Sequence, residues 1–315
     1  MKILCVGQAV TDVIVKPIEV LDYTLDTQKV DSIEIKPGGD AQNTAIALAK
    51  LECDVSFCCK LGKDALGDFL KRSMEEAGID TTPLHIVEGG VTGSALVAVN
   101  SVGQRTFYYC GGAMDTFCYE DINLDDVYKC DILHIGGTYT QDRFDGADAA
   151  KLLKLAQSEG KITSMDVTYD TKGRWLSLIE ESLPHLDFFM PSINEAKHIC
   201  GTEAPEEIAG FLLSRGVKNV IVKLGKDGCY FKNAEESFVY PALDVPVLDT
   251  TGAGDCFVGG FLCGLSKGWN HKNCVALGGA ASAKCIQKIG ATAGLTNYND
   301  IVSMCKETEL LKGEL

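Results

Sequence analysis

The sequence predicts a single α/β domain: a doubly wound, mostly parallel sheet with helices on both faces and a small β-sheet lid. Two observations lead there. Short apolar, β-branched runs alternate with stretches whose apolar residues recur at three- and four-residue spacing, which is how parallel strands joined by helices read. Two segments, at about 13–37 and 91–110, break that rhythm with strand-like alternation, turn signals and no helix between them, so they read as antiparallel lid strands.

In chain order, "KILCVGQAVTDVIV" opens with a buried parallel strand that ends at the turn around Gly7. Further strands are expected at "VSFCCKLG", "ILHIGG", "TSMDVT", "FFMPS" and "NVIVKLG". Helices are expected at "NTAIALAKL", "LGDFLKRSMEEAG", "GADAAKLLKLAQSEG" and "APEEIAGFLLSRG", several closed by a glycine. "VPVLDTTGAGDCFVGGFLCGLSKG" reads as an apolar strand, a glycine turn and a helix from about Gly254 to Leu265. The tail "KETELLKGEL" reads as a solvated helix end, and the whole of 1–315 as one domain.

The bulk numbers narrow the function. A formal charge of −15, from 44 acidic and 29 basic side chains, disfavours non-specific binding to nucleic acid or an anionic membrane. Fourteen cysteines are scattered through apolar segments, with no CxxC pair and no signal-peptide pattern at the start, which points to a reducing, cytoplasmic setting. The five histidines form no zinc-like cluster. No apolar run reaches the roughly 20 residues of a membrane helix, so the expected partner is a small molecule.

The chemistry is concentrated in "DTTGAGDCFVGG", residues 249–260. The amides of Ala253, Gly254 and Asp255 would fall in the first helical turn, where no intrahelical acceptor exists and the helix dipole is positive. That is an anion site, and glycines at 252 and 254 let the backbone approach a phosphate closely. A carboxylate at 255 adds nothing to a phosphate cradle but suits a base that takes a proton from an attacking hydroxyl. In isolation it also reads as an ordinary first-turn acid stabilising the helix.

The motif D-T-T-G-A-G-D resembles the C-terminal signature of the ribokinase-like, or PfkB, carbohydrate kinases. "GGDAQNTAIALAKL" at 38–51 resembles the N-terminal G-G-x-x-x-N-x-A pattern of that family, and "KLGKDALGDFL" its G-x-D-x-x-G segment. The motifs stand in the family's order, and the resemblance covers nearly the whole chain. It implies a three-layer α/β/α fold, an ATP-dependent sugar kinase and a requirement for Mg²⁺.

By position, the resemblance makes Asp255 the base and the amides of Gly252, Ala253, Gly254 and Asp255 the anion hole. Asp12, Gly38, Gly39, Asp40 and Asn43 would hold the substrate; on their own, Asp12 reads as a turn and Asn43 as a helix cap. "VKLGKDG" is similar to the nucleotide-binding segment, with Gly225 and Gly228 at the ATP site and Lys223 either neutralising phosphate or ending a strand. "SINE" places Ser192 where the family has Asn, near the nucleotide, and Glu195 where it organises Mg²⁺ through water. Asp249, the carbonyl of Thr251 and the loop around Gly290 match a monovalent-cation site, for K⁺.

Lys16, Lys29, Lys36 and Arg105 are too dispersed to bind a sugar phosphate, so an uncharged sugar is favoured, with Arg105 and Arg174 as candidate pocket residues. Open lid edges favour a homodimer through the lid. Two other readings stay open: a nucleoside kinase, with Phe107, Tyr108 or Tyr109 stacking on a base, and a non-catalytic sugar or nucleotide sensor.

Overall fold

The computed structural model describes residues 1–307. Its first half runs β1 (Lys2–Gly7), β2 (Val10–Lys16), β3 (Ser32–Gly38), α1 (Asp40–Lys50), β4 (Asp54–Cys58), β5 (Lys60–Gly62), α2 (Ala65–Glu76), β6 (His85–Val87), β7 (Ser94–Val99), β8 (Arg105–Cys110), α3 (Leu124–Lys129) and β9 (Ile132–Thr138). The chain continues through α4 (Ala147–Ser158), β10 (Ile162–Val167), α5 (Leu176–Ile179), β11 (Phe188–Phe189), α6 (Ile193–Cys200), α7 (Pro205–Ser214) and β12 (Asn219–Lys223). It closes with β13 (Cys229–Lys232), β14 (Ser237–Tyr240), α8 (Ala253–Ser266), α9 (His271–Cys285) and α10 (Tyr298–Glu307).

The main sheet has the order β14-β13-β12-β11-β10-β9-β1-β4. From β4 to β12 every neighbour is parallel, and β13 and β14 add an antiparallel edge. The chain leaves β1 towards β4 and later returns to the other flank of β1 with β9. The strand order therefore reverses between these two, and the crevice beyond their carboxyl ends is where such sheets bind ligands. Strand β1 ends there at Gly7, which pairs with Gly136 near the end of β9.

Helix α8 is the long apolar helix that carries the glycine motif at its start. A side chain at Gly259 would bring its Cβ to 2.7 Å from that of Ala47, so glycine there lets α8 lie directly against α1. This contact fixes the start of α8 against the start of α1.

A separate four-stranded sheet has the order β3-β2-β7-β8, with β2 and β7 parallel. Its register puts Asp12, Ala95 and Tyr109 on one face, together with Ile14, Val97 and Phe107 and, further along, Lys16, Val99 and Arg105. The opposite face carries Val13, Ile35, Leu96 and Tyr108, with Val15 and Ile33 beside them. Residues 17–31 between β2 and β3 belong to no strand.

Two expectations change. "VSFCCKLG" is not one strand: after Cys58 the chain leaves the main sheet, and β5 pairs with β6 in a two-stranded ribbon. There Lys60 pairs with Asp121 at 2.9 Å. The segment "VPVLD" forms no strand, since Pro241 and Pro246 lack the donors a ladder needs; Leu248 and Asp249 instead donate their amides to the Ile286 carbonyl at 2.8 and 3.2 Å. Of the tail expected to end as a solvated helix, residues 308–315 lie outside those described.

The α1–α8 contact makes a test. Gly259→Leu should lower the urea-unfolding free energy by about 1–3 kcal/mol through overpacking, with an unchanged slope against denaturant; a variant as stable as wild type would show that the helices are not in close contact.

Candidate active site

A cavity of about 900 Å³ opens at the carboxyl ends of the parallel strands. Its lining gathers residues far apart in sequence: Asp40 at the start of α1, Asp166 near the end of β10, Ser192 and Glu195 at the start of α6, Lys223 at the end of β12, Gly225 and Gly228 in the turn after it, and Gly252 to Asp255 at the start of α8.

Gly252 is the N-cap of α8 at φ +72°, and a Cβ there would stand 2.1 Å from the Ala291 carbonyl oxygen, so the turn requires glycine. Cys256 N donates to Gly252 O at 2.8 Å and begins the helical ladder. The amides of Gly252, Gly254 and Asp255 have no acceptor among the described residues. Ala253 differs from the expectation that all four amides form the anion hole: its N–H is spent on Thr250 O at 3.2 Å, because the turn closes on itself one residue earlier.

Asp255 is 9 % exposed and accepts a hydrogen bond from the side-chain amide of Asn43 at 2.8 Å. Burial pushes its carboxyl well above the ordinary range, and Asp40 and Asp166 push it further, while the Asn43 bond and Lys223 act against them. The helix dipole favours the ionised form, but burial among like charges outweighs it. Asp166, 2 % exposed, is pushed up to about 7 by burial, with Lys223 and the Gly137 amide opposing. Asp40 is also raised, again by burial first.

Lys223 reaches into this group. Its ammonium lies 3.9 Å from Asp166 and would stand 3.3 Å from a Cβ at Gly254, beside the free amides. A phosphate over the turn would therefore meet backbone donors and an ammonium together. Lys223 both ends β12 and reaches into the cavity.

Asp12 stands on β2 outside the cavity lining but within electrostatic reach of Asp40; burial and that neighbour raise its carboxyl to about 6. It lies against Gly38, where a Cβ would fall 2.3 Å from its Oδ2. Gly39 caps α1, so Asn43 is not the cap but sits one turn inside the helix, its amide directed at Asp255. On the same face of the small sheet as Asp12, Tyr109 accepts a hydrogen bond from Gln8 at 2.9 Å.

Two arginines are placed differently from the expectation that they line a sugar pocket. Arg174 donates to Asp142 at 2.8 Å, Asp170 at 3.0 Å and the Tyr139 carbonyl at 2.9 Å, so its guanidinium is committed to joining two loops. Arg105 reaches instead to Asp249, at 3.2 Å, and to the Thr251 hydroxyl. Asp249 also accepts from Thr251 N at 3.0 Å, from Thr251 Oγ1 at 2.6 Å and from Gly290 N at 2.9 Å.

Sequence reading missed Asp166, and it missed that Ser192, which does line the cavity, also caps a helix. The signal for the first was a lone carboxylate in the apolar strand "TSMDVT". For the second it was S-x-x-E: Ser192 caps α6, its amide donating to Glu195 Oε2 at 2.7 Å in a capping box.

A doubly wound sheet with free helix amides, a lysine and a buried carboxylate at its switch point defines a phosphate-handling enzyme. The pfkB family carbohydrate kinase profile matches residues 1–297, and the chain belongs to that family. It is 32% identical over 271 residues to the ribokinase of Staphylococcus aureus, covering 84% of this chain and 86% of that one. It superposes on the ribokinase of Thermotoga maritima with a TM-score of 0.83 at 29% identity, covering 96% of this chain and 99% of the other. The fold is also that of the Arabidopsis thaliana ribokinase complexed with ribose and ATP, at a TM-score of 0.83, 24% identity and coverages of 97% and 98%. Membership in a kinase family sets aside the non-catalytic sensor.

The raised Asp255 carboxyl has a consequence for stability. The folded chain holds its proton more tightly than the unfolded chain, so ionising Asp255 costs stability as pH rises from the ordinary 3.8 through the raised folded value. Asp255→Asn should therefore melt above wild type at pH 8, by on the order of 2–4 °C, with the gap closing towards pH 4. A variant that melts lower at pH 8 would contradict the placement.

Proposed function

We propose that this chain transfers the γ-phosphoryl group of ATP to a hydroxyl of a small uncharged sugar, with Asp255 as the general base. One observation carries the reading: a buried carboxylate of raised pKa stands in the same helical turn as unpaired amides, beside a lysine. The hydroxyl oxygen attacks the γ-phosphorus, its proton passes to Asp255, and ADP leaves. The free amides of Gly252, Gly254 and Asp255, with Lys223, meet the charge that develops on the transferring group. Leu243, Val247 and Ile286 give the cavity apolar walls suited to an adenine.

Asp40, Asp166 and Glu195 bring hard carboxylate oxygens into the same cavity, which fits Mg²⁺. Among the described residues these three do not gather their oxygens within 4.8 Å of one another, so an ion there would be held partly through water. Bound there, Mg²⁺ would neutralise phosphate charge.

The small sheet is proposed as the lid, presenting Asp12 and Tyr109 to the sugar. An uncharged acceptor is favoured because Lys16 and Lys36 pair with Glu34, at 3.4 and 3.2 Å, Arg105 pairs with Asp249, and Lys29 lies exposed in the 17–31 segment outside the strands. The outer face of this sheet leaves Ile33 64 % and Ile35 51 % exposed beside Val13, Leu96 and Tyr108, and we propose that a second copy of the chain covers it. Buried thiols such as Cys5, Cys59 and Cys263 suit a reducing compartment, here proposed to be the cytoplasm. The nucleoside-kinase alternative rests on Phe107, half exposed on the inner face of the lid, where it could stack on a base.

ADP release with MgATP is expected with at least one member of a panel of ribose, fructose, other ketoses, 2-keto-3-deoxygluconate and polyols. A response confined to nucleosides would overturn the sugar reading and support the alternative. With that acceptor, Asp255→Asn should lose about 10²- to 10⁴-fold in kcat while still binding ATP; retention of a tenth of wild-type turnover would remove Asp255 from the role of base.

A further inference from the structure

The resemblance to the kinase family implies a monovalent cation at Asp249, Thr251 and Gly290. The structure brings these three together, but the donor set does not fit such an ion. Asp249 Oδ1 already accepts from Thr251 N, Thr251 Oγ1 and Arg105 Nη1, and Oδ2 accepts from Gly290 N. The Thr251 carbonyl stands 3.4 Å from the Cys285 sulfur, whose single proton also has the Ala291 carbonyl within reach at 3.1 Å. A cation here would meet engaged oxygens and stand beside a guanidinium that repels it.

We infer that Arg105 is a positioning residue whose guanidinium supplies the positive charge at Asp249 and so ties the small sheet to the turn that carries the free amides. Arg105 opens β8, on the face shared by Tyr109, and its partners lie 144 and 146 residues further along the chain. Asp249 organises the stretch just before Gly252: it holds Thr251 by both backbone and side chain and pins Gly290, one residue from the Ala291 carbonyl that packs on Gly252. The small sheet and the phosphate-binding turn are thus ordered by one ion pair. When the sheet lies over the site, the turn is set; when the sheet lifts, Asp249 loses its counter-charge. A guanidinium can act this way because it binds a carboxylate and a hydroxyl from one planar group and keeps its charge at any working pH.

The functional meaning rests on reading Gly252–Asp255 as the phosphate site, but the test does not. Amide hydrogen exchange is followed on the full chain, without ATP or any acceptor, for wild type, Arg105→Lys and Arg105→Ala, in buffers of tetramethylammonium, sodium or potassium chloride. In Arg105→Ala, exchange should rise about tenfold both in β8 and at the bonded amides of Asp249, Thr251 and Ala253, while β1 and β10 are unchanged. Arg105→Lys should recover part of the protection. Wild type should be indifferent to the cation, and in Arg105→Ala added guanidinium, but not potassium, should restore protection at 249–255. Exchange that rises in β8 alone, or a wild type whose 249–255 segment needs potassium, would overturn the inference. Loss of the kinase assignment would leave these readouts standing.

Discussion

Three of the carboxylates that line the cavity are desolvated together, and the site is organised around that constraint. Asp40, Asp166 and Asp255 are all pushed upward by burial, and their neighbouring acids raise them further. Like charges in a low-dielectric space cannot all ionise without compensation, and Lys223 is too little for three. The arrangement therefore holds protons, or calls for cations, until a ligand arrives. Raised carboxyls of this kind are a feature of sites that move protons.

The fold meets this constraint by bringing ends together. Strand order reverses at β1 and β9, so the helices that follow the strands start around a single crevice. Gly259 lets α8 approach α1, and Asn43 then bonds Asp255 across 212 residues of sequence. The amide of Asn43 is a neutral donor that bonds one oxygen of Asp255 without adding a charge beside it. The small sheet stands outside the lining of this cavity, with Asp12 towards one end of its inner face and Arg105 at the other.

What the sequence made legible were the features with local causes. Alternating strands and helices, the helix starting beside Gly254 and the odd carboxylate at 255 all follow from spacing and residue type within a dozen positions. Partners set by tertiary approach were not legible. Arg105 and Arg174 looked like pocket residues because a basic residue near a lid has few other readings in one dimension; their carboxylates come from loops 144 and 32 residues away. The Ala253 amide was lost to a turn closing on Thr250, which depends on a φ at Gly252 that composition does not state. Asp166 and the Ser192 cap did leave signals, a carboxylate in an apolar strand and an S-x-x-E, and both fell outside the two motifs that drew the reading.

The central claim is that a phosphate lies over the first turn of α8. The most direct test is the ¹H–¹⁵N spectrum of the deuterated chain, with the amides of Gly252, Ala253, Gly254 and Asp255 assigned and a non-hydrolysable ATP analogue added with Mg²⁺. Downfield proton shifts should appear at Gly252, Gly254 and Asp255, whose donors are free, and be smaller at Ala253, whose donor is already bonded to Thr250. Saturable binding of the analogue with those three amides unmoved would contradict the account.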